Sequence, residues 1–540
     1  MSPLQRERAL CWGVALAFIA PLLLTRYFPG LDLPWHGAIC AVLHTGDAEV
    51  EPRFLGQLTV DSQLSSYLTL YVSVDALARV VGDVALAMQV VIVLYVVAFV
   101  LSARSLVRAF GGDGGIAVLA APAAFSVTLQ FGFLSYALAF PMTLWSWALL
   151  VRLFALAPAP LTAFRLVGVL ALSALIALTH PFAAAVALAG SILLVLLHAG
   201  RTTWGRAVLA VAALIAGAVP SVLAVALIGG GPADGGAVPM PPLPGQGLLA
   251  QLGALDFTPA QESLAAAPAW LFGFVPEGAR FALVAAGLMA VVVARHQAGA
   301  ARAEVPSSAV RRAPVYLAAV LLAIYLLTPY TLEWPRRWFG AQPRLLPLLW
   351  VVAVAALAPR PTTTTRRAHW RVLAAPLAVS AIALVLLATT TLLPFATEAW
   401  DLRAIVTASA PRARTLALIE QPPTEDRAPA GPWRHAADYL MVEQGGVVSN
   451  LPFLGSSAGN AGVLVPVRRA ASAPPMPAAP GPGQPRTFDW ERHAAGWDQI
   501  VIRDLDPAEP WPYFAGHEDG VELISRAGRW RLFRVIAPNP

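Results

Sequence analysis

The chain contains no lysine, only two cysteines and few charges of any kind. Charged residues fill 13% of its 540 positions and hydrophobic ones 57%. Soluble domains carry about 25% charged residues, so an ordinary water-soluble class is excluded. The mean hydropathy of +0.65 points instead to a polytopic membrane protein. With lysine absent, arginine alone makes the net charge of +6, and its placement matters more than its total. No basic stripe interleaved with aromatics is present, which argues against a nucleic-acid partner. Cys11 and Cys40 should be separated by a full membrane crossing, which makes a disulfide between them implausible. The first apolar run, Leu10 to Tyr27, follows Arg6 and Arg8 but lacks a small-x-small cleavage site. It reads as a retained transmembrane helix with its N-terminus inside.

What is present is a series of apolar runs, each near the roughly 20 residues that span a bilayer. After the first come Val84–Ala103, Ile116–Phe131, Ser135–Leu156, Leu166–Thr179, a return to His198, and Val208–Ile228. Further runs end at Arg295 or cover Pro314–Thr328, Leu345–Leu357 and Val372–Leu393. The expectation is a polytopic α-helical membrane protein with about eleven transmembrane helices. Its membrane domain, 1–395, has outer loops at 28–82 and 229–278. Within the first loop, Ser65–Val81 is half apolar and carries Asp75 and Arg79, which suits an interfacial or re-entrant helix. The inside loops are rich in arginine, from Arg104 and Arg108 through Arg152, Arg165 and Arg206 to Arg371. The outside loops hold far fewer, chiefly Arg26, Arg53, Arg280 and a cluster at Arg336, Arg337 and Arg344. That asymmetry fits the positive-inside rule and makes the outer cluster an exception. Residues 396–540 are more charged and carry short alternating runs at Thr415–Ile419, Gln499–Arg503, Val521–Ser525 and Trp530–Val535, with a helix over Trp433–Val442. They predict an extracytoplasmic soluble α/β domain with a disordered Pro/Ala/Gly-rich loop at about 470–485.

Titratable side chains beside a membrane are costly to keep without a use. Asp32 lies just beyond the outer end of the first helix, and His36 follows one turn later. If Pro34 opens a helix, His36, Cys40 and His44 share a face. A carboxylate here suits a general base, and an imidazole can tune it or donate to phosphate. The plain alternative is that Asp32 caps the helix and His36 snorkels. Glu51, Arg53 and Asp61 are further substrate-binding candidates in the same loop. Glu333, Arg336, Arg337 and Arg344 fall on the outer side, where arginine forks match phosphate oxygens. His180, at the turn between two crossings, stands on the same side as Asp32, as do Gln130 and Tyr136. In the tail, Trp433-Arg434-His435 and Phe488–His493 suit carbohydrate contact or an ordinary core equally. No recognised metal spacing is present, and a divalent cation stays open as a cofactor.

The arrangement resembles the GT-C superfamily of membrane glycosyltransferases that use polyprenyl-phosphate sugars. The resemblance rests on an inside N-terminus and one helix, a large outer loop opening with Asp32, an amphipathic stretch at Ser65–Val81, multiple crossings and a soluble outer tail. It implies that Asp32 is the base and that Arg336, Arg337 or Arg344 grips the donor phosphate. The paired acid usual in the family is absent, since Leu33 follows Asp32. The implied function is inverting sugar transfer from a polyprenyl-phosphate donor to an extracytoplasmic lipid, glycan or protein acceptor. A flippase for a lipid-linked glycan, or a non-catalytic envelope assembly protein, is the alternative. A flippase would need polar residues at mid-depth in the crossings, and few are present. The arginine-only, alanine-rich composition points to a GC-rich bacterium and an inner-membrane location.

Overall fold

A computed structural model describes residues 2–60, 68–155, 159–199, 203–228, 258–297, 308–330, 341–359, 366–420, 433–449, 467–470, 473, 475–480, 487–504 and 512–536. Helix α1 (Pro3–Ile19) begins with a capping box, in which the Ser2 hydroxyl accepts from the Gln5 backbone N–H and the Gln5 side chain accepts from Ser2 N–H. A 3-10 turn, Ala20–Leu24, follows. Then come α2 (Leu33–Thr45), α3 (Asp47–Arg53), β1 (Leu58–Val60), α4 (Leu68–Val81) and α5 (Val84–Ala109). Asp83 starts α5 by accepting from Leu86 N–H at 2.8 Å. The 26 residues of α5 make a rod about 39 Å long, enough to cross a bilayer.

The run from Ile116 to Phe131 is not one straight crossing. It is a 3-10 turn, Gly114–Leu119, followed by two short helices, α6 (Ala120–Ala124) and α7 (Val127–Gln130). Every residue from 112 to 130 is buried, and a Cβ on Gly115 would lie 2.7 Å from Leu373. The segment is apolar because it fills the centre of the bundle, a cause that hydropathy cannot separate from facing lipid.

The remaining helices follow the apolar runs closely. They are α8 (Leu134–Ala155), α9 (Ala159–Thr179), α10 (Pro181–His198), α11 (Trp204–Ile228), α12 (Ala260–Leu271), α13 (Glu277–Gln297), α14 (Ser308–Leu327) and α15 (Leu346–Leu357). Among the described residues, seven helical stretches are long and apolar enough to cross a membrane, and four shorter apolar ones accompany them. Their outward faces keep large apolar side chains exposed, such as Phe164 at 75% and Leu23 at 66%. Water would penalise that surface and lipid would not. The chain is a multi-pass membrane protein.

The last helical stretch continues past residue 396. Helix α16 (Arg366–Leu387) passes through a π turn, Ala388–Leu392, into α17 (Leu393–Ala408) without interruption. Glu398, Asp401 and Arg403 made this stretch look soluble. It is the end of a helix that leaves the apolar layer and enters the tail. There Glu398 receives Arg503 Nε at 2.5 Å, and the fully buried Arg503 sits on strand β5.

The tail is built on a five-stranded sheet of β2 (Arg414–Ile419), β3 (Val447–Val448), β5 (Gln499–Arg503), β6 (Val521–Ala527) and β7 (Trp530–Val535), in the order β3-β2-β5-β7-β6. Strands β2, β3 and β5 are parallel, and β7 runs antiparallel to β5 and β6. The helix expected over Trp433–Val442 is α18 (Asp438–Gln444). The disordered loop expected at 470–485 is corrected for residues 475–480, where Trp497 Nε1 donates to the Ala478 carbonyl at 3.0 Å and Pro477 lies against Gly496. The rest of that loop, apart from Ala470 and Ala473, lies outside the described residues.

Three attachments fasten the tail onto the first loop and the end of the run before it. Strand β1 pairs antiparallel with β4 (Val467–Arg469). Helix α18 packs on α2, and a Cβ on Gly37 would come 3.3 Å from Val442. Tyr27 stacks on Tyr439 with ring centroids 4.0 Å apart and donates to Glu443 at 2.6 Å.

Candidate active site

Asp32 occupies the N-cap position of α2, yet its side chain makes no capping hydrogen bond. The capping explanation for this residue is therefore removed. Its backbone is pinned from the other side, with Leu31 N–H donating to Gln130 O at 2.8 Å and Asp32 N–H to Phe131 O at 3.1 Å. Gly132 makes this approach feasible. Its φ is +82°, and a Cβ there would lie 2.7 Å from the Asp32 nitrogen. The turn after α7 thus aims Asp32, while Gln130 itself donates to Phe125 O at 3.0 Å.

The same turn also supports an arginine from elsewhere in the chain. Arg344 lies in a 3-10 turn, Pro343–Leu345, just before α15 and is 5% exposed. Its guanidinium carbon sits 3.7 Å from the centre of the Phe133 ring, one residue beyond Gly132, and 5.6 Å from that of Tyr136. Its Nη1 is 3.4 Å from His180 Nε2. Because a guanidinium only donates, that ring nitrogen serves as the acceptor and the tautomer follows. The His180 ring meets Tyr136 edge-on at 5.0 Å. Burial and the Arg344 charge hold the His180 imidazole well below its ordinary value, so it is neutral.

Asp32 responds electrostatically to two cations, Arg344 and Arg434. Burial pushes its carboxyl from the ordinary 3.8 up to about 7, against the opposing pull of both guanidiniums. A carboxylate that titrates near neutrality and remains partly accessible is suited to taking up a proton. Next to it lies a residue that sequence reasoning missed. Asp438, at the first position of α18, is fully buried, and among the described residues neither carboxyl oxygen has a hydrogen-bond partner. His435 Nδ1 is 3.8 Å from Asp438 Oδ2. Burial and the Asp32 charge hold Asp438 well above the usual carboxylate range. A second acid thus approaches Asp32 from the tail, about 400 residues downstream, and Arg434 comes with it. Only the motif Trp433-Arg434-His435 hinted at this, and it did not single out Asp438.

The other candidates divide. His36 is buried, and burial drives its imidazole down to about 4, so it is neutral at pH 7. Its Nδ1 lies 3.0 Å from the Tyr71 hydroxyl on α4. His36 therefore links α2 to α4. Cys40 is buried, and His44 Nδ1 meets Asp75 at 3.0 Å, with Arg79 on the same carboxylate. Arg53 is turned away to the tail, where its Nη2 donates to Val442 O at 3.3 Å. Glu51 is exposed on α3. Neither joins the Asp32 group as expected, because α3 serves to hold α18. Glu333, Arg336, Arg337 and Asp61 lie outside the described residues. Phe488 and Trp490 pack edge-on against Phe514 in the core of the tail. Among the described residues no group of three or more His, Cys, Asp or Glu side chains gathers to hold a metal ion.

No family profile matches the chain, and no curated protein matches it by sequence. Solved structures do. ArnT from Cupriavidus metallidurans in the apo state aligns with a TM-score of 0.53 and 14% identity over the whole of both chains. The same protein bound to undecaprenyl phosphate aligns with a TM-score of 0.51 and 12% identity, over 98% of this chain and 99% of that one. The arabinofuranosyltransferase AftD from Mycobacteria aligns over 97% of this chain at 16% identity and a TM-score of 0.45, and this chain spans 40% of its length. Agreement along two full chains at such low identity is agreement of fold, and the chain shares the fold of ArnT.

Proposed function

We propose that the chain is an inverting glycosyltransferase that moves a sugar from a polyprenyl-phosphate donor to an extracytoplasmic lipid, glycan or protein acceptor. The observation that carries this reading is the sharing of one short turn, Gln130–Phe133, by a carboxylate poised near neutrality and a buried guanidinium. Asp32 takes the proton of an acceptor hydroxyl as its oxygen attacks the anomeric carbon. The bond from that carbon to the phosphate oxygen breaks, and the leaving phosphate is stabilised by Arg344, with Arg434 nearby. One displacement inverts the anomeric centre. Asp438 keeps its own proton, so a single negative charge faces the two arginines. The undecaprenyl phosphate held by ArnT supports a polyprenyl phosphate as the ligand.

The seven long spans and the four shorter apolar stretches, the broken segment Gly114–Gln130 among them, supply the eleven crossings in this reading. Arg104, Arg108, Arg152 and Arg165 then face the cytoplasm, and Asp32 and the tail face the opposite side. Binding of undecaprenyl phosphate and of undecaprenol to the wild type and to Arg344→Gln tests the proposal. The wild type should prefer the phosphate, and the variant should lose at least about tenfold of that affinity. Equal affinity for the two lipids in the wild type would end the phosphate reading.

A further inference from the structure

At the end of the bundle away from Asp32, α1, α5 and α8 leave a hollow of about 480 Å³ walled chiefly by Arg8, Trp12, Arg104, Trp145 and Arg152. Its charges are unbalanced. Arg152 donates to the Ser105 carbonyl and hydroxyl at 2.9 and 3.0 Å, and its charged neighbours are Arg104, Arg108 and Arg165. The acids at this end are already engaged. Glu7, 2% exposed, is shared by Arg104 and Arg108 at 3.6 Å each, and Asp113 accepts from Gly115 N–H at 2.9 Å. An inward-facing charge bias accounts for arginines at this end, but a flat spread along the loops would satisfy it equally. With Arg104 offset by Glu7, Arg8 and Arg152 still face one concavity, and an anion between them would relieve their mutual repulsion.

The walls identify the kind of anion. Trp12 is 41% exposed on the outer side of α1, so the hollow opens sideways towards the bilayer. Indole rings favour the headgroup level of a membrane, where an apolar body and a polar edge are both accommodated. We propose that this hollow binds the headgroup phosphate of an anionic phospholipid in the leaflet nearest Arg8, as a site separate from the one at Arg344.

The full chain in detergent, supplied with phosphatidylglycerol or phosphatidylcholine, allows a direct test by native mass spectrometry with thermal unfolding in parallel. Phosphatidylglycerol should be retained and should raise the unfolding temperature, and phosphatidylcholine should do neither. Arg8→Gln should weaken retention by about fivefold, the effect of one arginine near an anionic headgroup. Trp12→Ala should weaken it too, and both positions are exposed enough that the fold survives. Arg344→Gln should leave this retention unchanged, which separates the two sites. Retention equal in the wild type and in both wall variants, or loss in Arg344→Gln alone, would overturn the proposal. Equal protection by inorganic phosphate would also overturn it, by assigning the hollow to a free anion.

Discussion

Asp32→Asn removes one charge and keeps the size and shape of the side chain, so it isolates what ionisation at this position does. With the carboxyl raised from 3.8 to about 7, keeping it ionised in the folded protein costs on the order of 4 kcal/mol. The sign follows from the direction of that shift. The folded state holds the Asp32 proton more tightly than the unfolded state, so its stabilising effect is full below about pH 3.8 and is lost as the pH rises through 7. Asparagine escapes this loss. The variant should therefore unfold at a higher temperature than the wild type at pH 8, with the gap narrowing at pH 5. Catalysis should move the other way. Wild-type kcat/KM should rise with pH along an acid limb centred near 7. About a tenth of the plateau should remain at pH 6. Loss of the base should cut turnover by about 10²–10⁴ while donor binding persists. Transfer of labelled sugar, measured beside thermal unfolding from pH 5 to 8, reads both quantities on the same samples. A variant within tenfold of wild-type turnover, or one less stable than the wild type at pH 8, would refute the assignment.

Arg344→Gln should shift the acid limb upward from about 7, since Arg344 favours the ionised form of Asp32, and a pH–rate profile reads the shift directly. Asp438→Asn mimics the protonated acid, so activity and the position of the limb should both change little; a limb displaced by a full pH unit would mean that Asp438 carries charge at neutral pH. Gly132→Ala places a methyl against the Asp32 backbone at a left-handed φ, and should lower stability by about 1–3 kcal/mol and turnover more than stability alone explains, measured below its unfolding temperature.

Much of the fold was legible because its causes are local. A long apolar run must satisfy its backbone hydrogen bonds internally in lipid and so must be helical; α10 and α13 end within a few residues of their runs, and α5 and α9 contain theirs. Alternation likewise located β5 and β7. Hydropathy failed where apolar composition had another cause, as in the buried segment from Gly114 to Gln130. It failed again at α17, where a helix carries charge while leaving the membrane.

The site divides along the same line. Asp32 was visible because an acid at the end of a membrane helix is costly and stands alone against its background. Sequence by itself determined the membrane body, the strand-bearing tail, and the candidacy of Asp32 and Arg344. Tertiary structure decided which of the remaining polar residues joined them. It turned His36 to Tyr71 and Arg53 to the tail, and it brought Asp438 and Arg434 back from the far end of the chain. The physical reason is that capping, periodicity and hydropathy act over a few residues. The field at a carboxylate depends instead on every charge the fold brings near it, however distant along the chain.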